Sequence, residues 1–347
     1  MVSKRRIAGL LDKVGVTRVL LSARKRALLP WRWLTVLTYH RVGETVAPGY
    51  DPEVLDATPA EFETQVKLLQ RYFTLIDTRD LDAWRAGGKL PHNPAMITFD
   101  DGYRDNHDTV MPLLKRLNAK AVFFVATSYI TDRRVFWWEL INHALTTTPR
   151  QQIALRYPHL MTLSTGSEAE RRQSIKTLLK LLKREVGVDM ERFLAQLYEE
   201  AGVPFSPAHE RAMADRMLMS WDQIRALHDN GFDVQSHSHA HRVLHTLSPE
   251  QARDDLLLAR QQLEAAIGAP VTAVAYPTGR PIRDTPALQQ AVRDAGYRYG
   301  FTVERLSPLR TDNQSDNDWL DIPRMMIDQA VRGPFYRSSV ALPPLAY

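Results

Sequence analysis

Short apolar segments alternate with amphipathic segments along most of this 347-residue chain. Residues 34–39, 95–99 and 121–126 are β-rich runs, and the intervening residues 59–72 and 106–117 have the apolar spacing of helices. The alternation returns near the C-terminus, with predicted strands at 232–235, 271–276 and 299–303 and predicted helices at 221–230, 249–267 and 285–295. Apolar strands that alternate with helices are typical of a parallel sheet covered by helices.

Residues 131–219 interrupt this alternation. The segment is long and polar, its pattern is helical at 171–185 and 190–200, and it has few strand signals. We therefore predict a helical insertion, which serves either as a lid or as a partner surface. The expected organisation is a leader at residues 1–33 and one α/β domain at 34–347 that contains the insertion.

The positive charge of the chain is concentrated at its start. Residues 1–40 contain nine basic residues and one acidic residue, for a net charge of +8, so that a chain of net charge +5 keeps −3 in its remaining part. A nucleic-acid-binding domain would carry its positive charge on the body, so we expect no nucleic-acid partner.

The basic leader also has a helical apolar pattern. Its apolar residues recur at spacings of three and four: Ile7, Leu10, Leu11, Val14, Val19, Leu20, Leu21 and Leu28. Two interpretations stay open, namely a basic amphipathic helix that makes a peripheral contact with an anionic membrane surface, and a helix that packs on the domain.

Other sequence features bear on the compartment. The chain has no cysteine, which excludes disulfides, thiol nucleophiles and cysteine-ligated metals. Lys13, Arg18 and Arg24 interrupt every candidate for the apolar core of a signal peptide, and no apolar run reaches the ~18 residues of a membrane span. We expect a cytoplasmic protein, at the inner membrane face if the leader binds lipid.

Two polar segments follow predicted strands. Asp100, Asp101 and Gly102 come directly after residues 95–99, and the segment 236–241 (SHSHAH) follows residues 232–235. Sites in α/β proteins lie where parallel strands end, so the two segments are expected to converge. His237 and His241 are four residues apart, and one helical turn would place both on one face.

Two imidazoles and one carboxylate form a usual set of ligands for catalytic zinc. A free carboxylate beside that set is suited to deprotonate a water molecule. Taken separately, the acidic segment is more typical of a capping turn. The histidines alone are more typical of a surface cluster or a chance spacing. Their combination predicts metal-assisted hydrolysis.

The motifs together resemble the polysaccharide deacetylase family, the family-four carbohydrate esterases. The resemblance covers residues 34–130 and 216–327 and rests on TFDDGY at 98–103, SHSHAH at 236–241 with Leu244, and VAYPTG at 274–279. It implies an α/β fold of the irregular (β/α)7 parallel barrel type, here with a helical insertion. It also implies zinc or a similar divalent metal as cofactor, and an N-acetylated amino-sugar glycan as substrate.

The resemblance assigns roles to individual residues. It implies that Asp100 is the catalytic base, that Asp101, His237 and His241 bind the metal, and that Ser238 holds the loop. The backbone N–H of Thr278 would complete an oxyanion hole, because Pro277 has no N–H to donate.

The chain also departs from the family pattern. Ala275 stands where the family has an arginine that orients the aspartate, and Thr278 stands where it has an aromatic residue. Arg324 is the nominated substitute for that arginine, with a surface ion pair as the alternative.

No histidine follows His245, so the usual C-terminal acid is absent. His40 resembles the acid histidine of a permuted subgroup, with a core histidine as the alternative, and its ordinary pKa suits an acid at neutral pH.

The predicted function is metal-dependent removal of N-acetyl groups from a cell-surface polysaccharide or its lipid-linked precursor, because the permuted subgroup resembles enzymes of exopolysaccharide assembly. Two alternatives stay open: a deacylase or deformylase of a small lipid-linked sugar, and a glycan-binding homologue without catalysis. Trp137 and Trp138 are suited to stack on a sugar or to pack in the core.

Overall fold

The computed structural model describes residues 4–28, 33–45, 50–185, 187–303, 309–310 and 318–342. Fourteen strands are described within these ranges. They are β1 (Trp33–Tyr39), β2 (Arg41–Val42), β3 (Leu55–Ala57), β4 (Thr74–Leu75), β5 (Pro94–Phe99), β6 (Val122–Val125), β7 (Gln152–Leu155), β8 (Met161–Ser164), β9 (Asp233–Ser236), β10 (Ala273–Ala275), β11 (Tyr299–Thr302), β12 (Leu309–Arg310), β13 (Ile322–Pro323) and β14 (Met325–Met326).

Fourteen α-helices are described in the same ranges. They are α1 (Lys4–Lys13), α2 (Val16–Lys25), α3 (Pro59–Tyr72), α4 (Thr78–Arg85), α5 (Met111–Leu117), α6 (Thr127–Asp132), α7 (Trp137–Thr147), α8 (Glu168–Leu182), α9 (Met190–Ala201), α10 (Pro207–Met217), α11 (Trp221–Asp229), α12 (Pro249–Ile267), α13 (Pro286–Asp294) and α14 (Gly333–Ala341). A π-helical turn at Asn106–Val110 precedes α5.

The sheet forms a nearly closed parallel barrel, as the family resemblance implies. Its strands lie in the order β1, β5, β6, β9, β10, β11 and β13, and every adjacent pair in this series is parallel. The short β12 extends the sheet beyond β1 as an antiparallel edge. Helices surround this sheet, which is the expected irregular (β/α)7 arrangement.

One five-residue segment brings the two sides of the barrel together. β13 pairs with β11 through Phe301 and Ile322, and β14 pairs with β1 through Leu37 and Met325. Only Arg324 separates β13 from β14. The segment therefore bridges the last and first strands of the parallel series and places Arg324 inside the closure.

Side-chain alternation decides what points into the barrel. A buried cluster that includes Val36 of β1, Met96 of β5, Val122 and Phe124 of β6, and Phe301 of β11 fills the interior. Residues two apart on a strand share a face. Thr98 and Asp100 therefore continue the interior face of Met96 towards the carboxyl edge of the sheet.

Local signals account for most helix starts. Thr58 caps α3: its Oγ1 accepts from the Glu61 N–H at 3.2 Å, and the Glu61 carboxylate accepts from the Thr58 N–H at 3.1 Å. Ser248 begins α12 in the same way with Gln251. Because such reciprocal caps satisfy donors that helices leave free, they fix where the helices begin.

The predicted insertion contains more strand than expected. Its helices are α7 to α10, but β7 and β8 pair as an antiparallel hairpin between α7 and α8. Only the first hairpin strand alternates clearly between exposed and buried residues, over four positions. A strand of this length is too short for a periodicity signal that would distinguish it from loop.

The leader forms two helices that pack against α14. Ser338 donates from its hydroxyl to the Ala8 carbonyl at 3.1 Å, and Arg24 donates to the Val340 carbonyl at 2.8 Å. Gly15, with φ of 81°, lies between α1 and α2. It divides the leader into two helices where the spacing suggests a single long one. Within the described ranges, every helix is too short or too polar to serve as a membrane span.

Candidate active site

The predicted site residues follow different barrel strands at the carboxyl edge of the sheet. His40 follows β1, Asp100 and Asp101 follow β5, and His237 follows β9. Arg324 joins them from the closing segment. Parallel strands end at one edge, so residues that are distant in sequence converge there.

Asp101, His237 and His241 form a group with metal-ligand geometry. One ligand atom from each lies within 4.8 Å of the others, and no other group of this kind occurs in the described ranges. The Asp101 Oδ1 is 3.4 Å from the His237 Nε2 and 3.3 Å from the His241 Nε2. All three side chains are at least nine-tenths buried.

The donor atoms fit a divalent cation. The His237 Nδ1–H donates to the Ala275 carbonyl at 2.9 Å, which leaves the lone pair of Nε2 directed into the site. The two Nε2 atoms are 3.1 Å apart, and the buried Asp101 Oδ1 has no hydrogen-bond partner among the described residues. Buried oxygen and nitrogen acceptors that face one another require a cation or protons between them.

A loop, not a helical turn, brings the histidines together. The chain between His237 and His241 is irregular, and both Ser238 (φ 66°) and His241 (φ 49°) have left-handed backbone conformations. The Ser238 hydroxyl accepts from the His241 N–H at 3.1 Å, as the expected loop-holding role requires. The helical explanation of the four-residue spacing was therefore wrong, although the two imidazoles do meet.

Asp255 on α12 also holds this loop. Its carboxylate accepts the backbone N–H groups of His239 at 2.9 Å and Ala240 at 3.0 Å. His239 itself points elsewhere, with its Nδ1 2.9 Å from the Thr127 hydroxyl. Asp255 could not be identified from the sequence, because one acidic residue on a polar helix gives no signal of its own.

Arg324 binds Asp100 in the barrel interior. Its Nη1 donates to Oδ1 and its Nη2 to Oδ2, each at 2.7 Å. Arg324 is fully buried, and Nη1 also donates to the Thr98 hydroxyl at 3.2 Å. This two-point contact fixes the plane of the carboxylate, which one hydrogen bond would not do.

The two aspartates are held ionised. Burial raises the pKa of Asp100, but Arg324 and the nearby histidines lower it more, and the net direction is downward. The same balance lowers the pKa of Asp101, where His237 and His241 supply the opposing effect. Burial lowers the pKa of His241, which favours the neutral imidazole that a metal ligand must be.

His40 is paired with a second carboxylate. Its Nδ1 lies 3.3 Å from the Asp56 Oδ2, and its backbone N–H donates to the same oxygen. Burial lowers the pKa of His40, but Asp56 and the site aspartates raise it by more, so that it lies at about 9. Burial raises the pKa of Asp56 to about 6. The imidazole is therefore protonated at neutral pH, with Nε2 as its remaining donor.

Asp56 was missed by sequence reasoning. It lies on the three-residue β3, which pairs with β2 immediately after His40. Nothing in the segment 55–58 distinguishes this aspartate from a residue that precedes a helix cap. Only the pairing of these short strands places it beside the imidazole.

Thr278 lies in the turn after β10, at the same edge of the sheet. Its side chain is exposed, and its φ of 64° is unusual for a β-branched residue. Gly279 follows with φ of 70°, and a Cβ there would lie 2.4 Å from the Val303 Cβ. The turn is thus held in one shape, while the oxyanion-hole role of the Thr278 N–H stays a prediction.

The insertion supplies an aromatic wall. The Trp138 ring lies 4.7 Å from the His241 ring and 4.4 Å from Phe136, measured between centroids. The Trp138 Nε1 donates to the Tyr103 hydroxyl, which donates to Glu139. Trp138 is buried, and its described contacts are those of core packing and not those of a ring exposed to a sugar.

The site thus combines a buried group that could hold a cation, an ionised carboxylate and a protonated imidazole. This is the set required for general-base activation of water and general-acid protonation of a leaving group.

Comparisons with known proteins agree with this chemistry. A family profile described as polysaccharide deacetylase matches residues 87–300, whereas no curated protein sequence gives a match.

Solved deacetylase structures resemble this fold. The deacetylase PplD of Streptococcus pyogenes, in complex with acetate, has a TM-score of 0.55 at 15% identity, over 88% of this chain and 96% of that chain. A polysaccharide deacetylase from Bacillus cereus has a TM-score of 0.55 at 18% identity, over 89% and 69%. A de-N-acetylase from Aggregatibacter actinomycetemcomitans has a TM-score of 0.52 at 14% identity, over 88% and 98%.

Proposed function

The chain belongs to the polysaccharide deacetylase family, and from that premise we propose that it hydrolyses the N-acetyl amides of an amino-sugar glycan with the help of a divalent metal. The observation that carries this proposal is the convergence of Asp101, His237 and His241 beside the Asp100–Arg324 pair. The similarity in fold to a de-N-acetylase supports the choice of an amide bond.

Asp101, His237 and His241 are the residues that would hold the metal. When bound there, a divalent ion would supply Lewis acidity towards the acetyl carbonyl and water, and zinc would suit this set of ligands.

Asp100 is the proposed base. Its carboxylate is ionised, and Arg324 fixes its orientation while lone pairs remain free to accept the proton of the attacking water. Because the carboxylate is buried and already oriented, it needs no rearrangement at the moment of reaction.

His40 is the proposed acid, as in the permuted subgroup that the sequence resembles. Hydrolysis of an amide needs a proton on the departing nitrogen, and the protonated imidazole supplies it from Nε2 while Asp56 holds Nδ1. The Thr278 N–H is the proposed donor to the oxyanion.

The proposed substrate is a cell-surface polysaccharide or its lipid-linked precursor. This choice rests on the resemblance to the permuted subgroup of exopolysaccharide assembly. The two classes are distinguished by comparing acetate release from an N-acetylated polymer with release from a lipid-linked amino sugar.

Acetate release from N-acetylglucosamine oligomers tests the reaction. We expect release that stops with a chelator and returns with added Zn²⁺. Asp100→Asn should abolish release while the metal content stays unchanged, and Asp254→Asn, an exposed control, should keep both. Full activity of Asp100→Asn would disprove the assignment of the base, and glycan binding without any release would favour a binding protein.

A further inference from the structure

Exposed apolar side chains are concentrated in the N-terminal helices. Of the nine large hydrophobic side chains exposed in the described ranges, six lie between residues 7 and 28. They are Ile7, Leu10, Val14, Val16, Val19 and Leu28, and the most exposed of the six, Leu28, is 69% accessible. Scattered exposed apolar residues are ordinary, but a concentration of this kind marks an interaction surface.

The opposite side of the same helices is fixed to the domain. Ala8, Thr17, Leu21 and Arg24 are buried, and the Thr17 hydroxyl lies 3.2 Å from the Ser338 hydroxyl on α14. Arg24 donates to the Val340 carbonyl at 2.8 Å and to the Thr35 hydroxyl at 3.3 Å. The apolar side chains are therefore held outward by a docked scaffold, and the exposed face is a fixed feature of the fold.

Basic residues flank the apolar face. Lys13, Arg18 and Arg26 are exposed. Asp12 is the only acidic residue in the first 40 positions, and Arg337 neutralises it in an ion pair. An apolar face bordered by positive charge complements an anionic lipid surface, in which apolar side chains reach the acyl boundary and basic side chains meet phosphates.

A second copy of the chain fits this face less well. Self-association would bring together two leaders that each carry a net charge of +8 over the first 40 residues. Like charges at such short range oppose contact unless an anion lies between them. An anionic bilayer supplies the opposite charge across the whole face.

We propose that the hairpin of α1 and α2 docks the protein on the surface of an anionic phospholipid bilayer. The apolar face lies in the headgroup region without crossing the membrane. Arg24 contacts Thr35 at the start of β1, so this end of the hairpin lies towards the sheet edge opposite the candidate active site. Docking in this way leaves the carboxyl edge of the barrel open to substrate.

Co-sedimentation of the full chain with vesicles tests the proposal. We expect binding to vesicles of phosphatidylcholine with phosphatidylglycerol and about ten-fold weaker binding to phosphatidylcholine alone, since each basic side chain gains from the anionic surface. The triple variant Leu10→Gln, Val14→Gln, Val19→Gln should lose about ten-fold in binding or more, because burial of apolar area drives insertion.

The matched control replaces exposed apolar residues elsewhere. Leu160→Gln with Leu258→Gln, at sites 84% and 40% exposed, should bind vesicles as the wild type does. Acetate release from a soluble glycan should be the same in all three proteins. Absence of wild-type binding to anionic vesicles would overturn the proposal. A second result would also overturn it: the wild type sediments as a dimer, the triple variant sediments as a monomer, and the two bind vesicles equally well.

Discussion

Arg324 reaches Asp100 from 224 positions further along the chain. It contacts the carboxylate that, by the family resemblance, the arginine absent at Ala275 would orient, and it does so from inside the barrel closure. Because the guanidinium is fully buried, the contact with the carboxylate is not weakened by water. At the scale of single residues, then, a residue between two short strands supplies the guanidinium.

Replacement of Arg324 by lysine tests this role. Lysine keeps the charge but cannot form two parallel hydrogen bonds, so we expect Arg324→Lys to lower kcat about 100-fold through misorientation of Asp100. Steady-state kinetics measure the loss, and the metal content should not change. Arg332→Lys, at an exposed ion pair with Glu61, should leave kcat unaltered. A kcat of Arg324→Lys near that of the wild type would show that Asp100 needs no such positioning.

Asp56 gives a pH dependence that can be measured. A general acid works only while protonated, and the pKa of His40 is raised to about 9, so activity should fall as the pH rises through that region. Asp56→Asn removes the largest of the contributions that raise this pKa, while burial still lowers it, and should move the alkaline limb of kcat/KM to lower pH. An alkaline limb that does not move in Asp56→Asn would remove His40 from the role of acid.

Single residues show where sequence reasoning succeeds and where it ends. Asp101 and His237 meet because each follows a predicted parallel strand and strand ends share an edge, and the loop after β9 brings His241 to them. Asp56 and Asp255 could not be predicted, since one lies on a three-residue strand and the other on a helix facing a loop. Their positions depend on tertiary packing, for which no local pattern exists.

At the scale of elements, the insertion packs directly against a predicted metal ligand. Trp138 of α7 contacts His241, and Glu139 accepts from the Asp51 N–H at 2.6 Å. Burial raises the pKa of Glu139 to about 8, although the surrounding donors lower it. The helix is therefore joined to the site on one side and to the segment after β2 on the other.

Truncation of Trp138 tests this support. Trp138→Ala removes the ring beside His241, so we expect metal affinity to fall about ten-fold or more, the range for lost outer contacts of a ligand. Competition with a chromogenic chelator measures the affinity. Trp137→Ala, on the same helix turn but without a contact to His241 in the described geometry, should keep affinity near the wild-type value. Equal losses in the two variants would instead indicate a general loosening of α7.

The elements differ in how far sequence could predict them. α3 and α12 begin and end as expected because caps and apolar spacing agree. The β7–β8 hairpin was not expected, and β2, β3 and β4 have only two or three residues each. Strands this short form because neighbouring backbone offers hydrogen-bond partners, which a sequence pattern does not record.

At the scale of the whole molecule, both ends of the chain stabilise the barrel. The segment that contains β13 and β14 joins the last strand to the first, and α14 follows and receives the N-terminal hairpin. Arg24 of α2 connects the hairpin to α14 and to β1 through hydrogen bonds. Its guanidinium also lies over the Phe73 ring, 4.9 Å from the centroid. The leader therefore packs on the domain through one face, as the second of the two interpretations expected.

Replacement of Arg24 tests whether the hairpin belongs to the cooperative fold. Arg24→Met keeps the aliphatic packing but leaves the Val340 carbonyl without this donor, so we expect a loss of about 1–3 kcal/mol in the free energy of unfolding. Urea denaturation measures the loss, and Arg26→Met, an exposed neighbour, should change stability by less than about 0.5 kcal/mol. Acetate release should persist in both, because Arg24 is not among the candidate active-site residues. An unchanged unfolding midpoint in Arg24→Met would mean that the hairpin separates from the barrel before the barrel unfolds, and a separable hairpin would hold its apolar face less firmly than docking on a membrane requires.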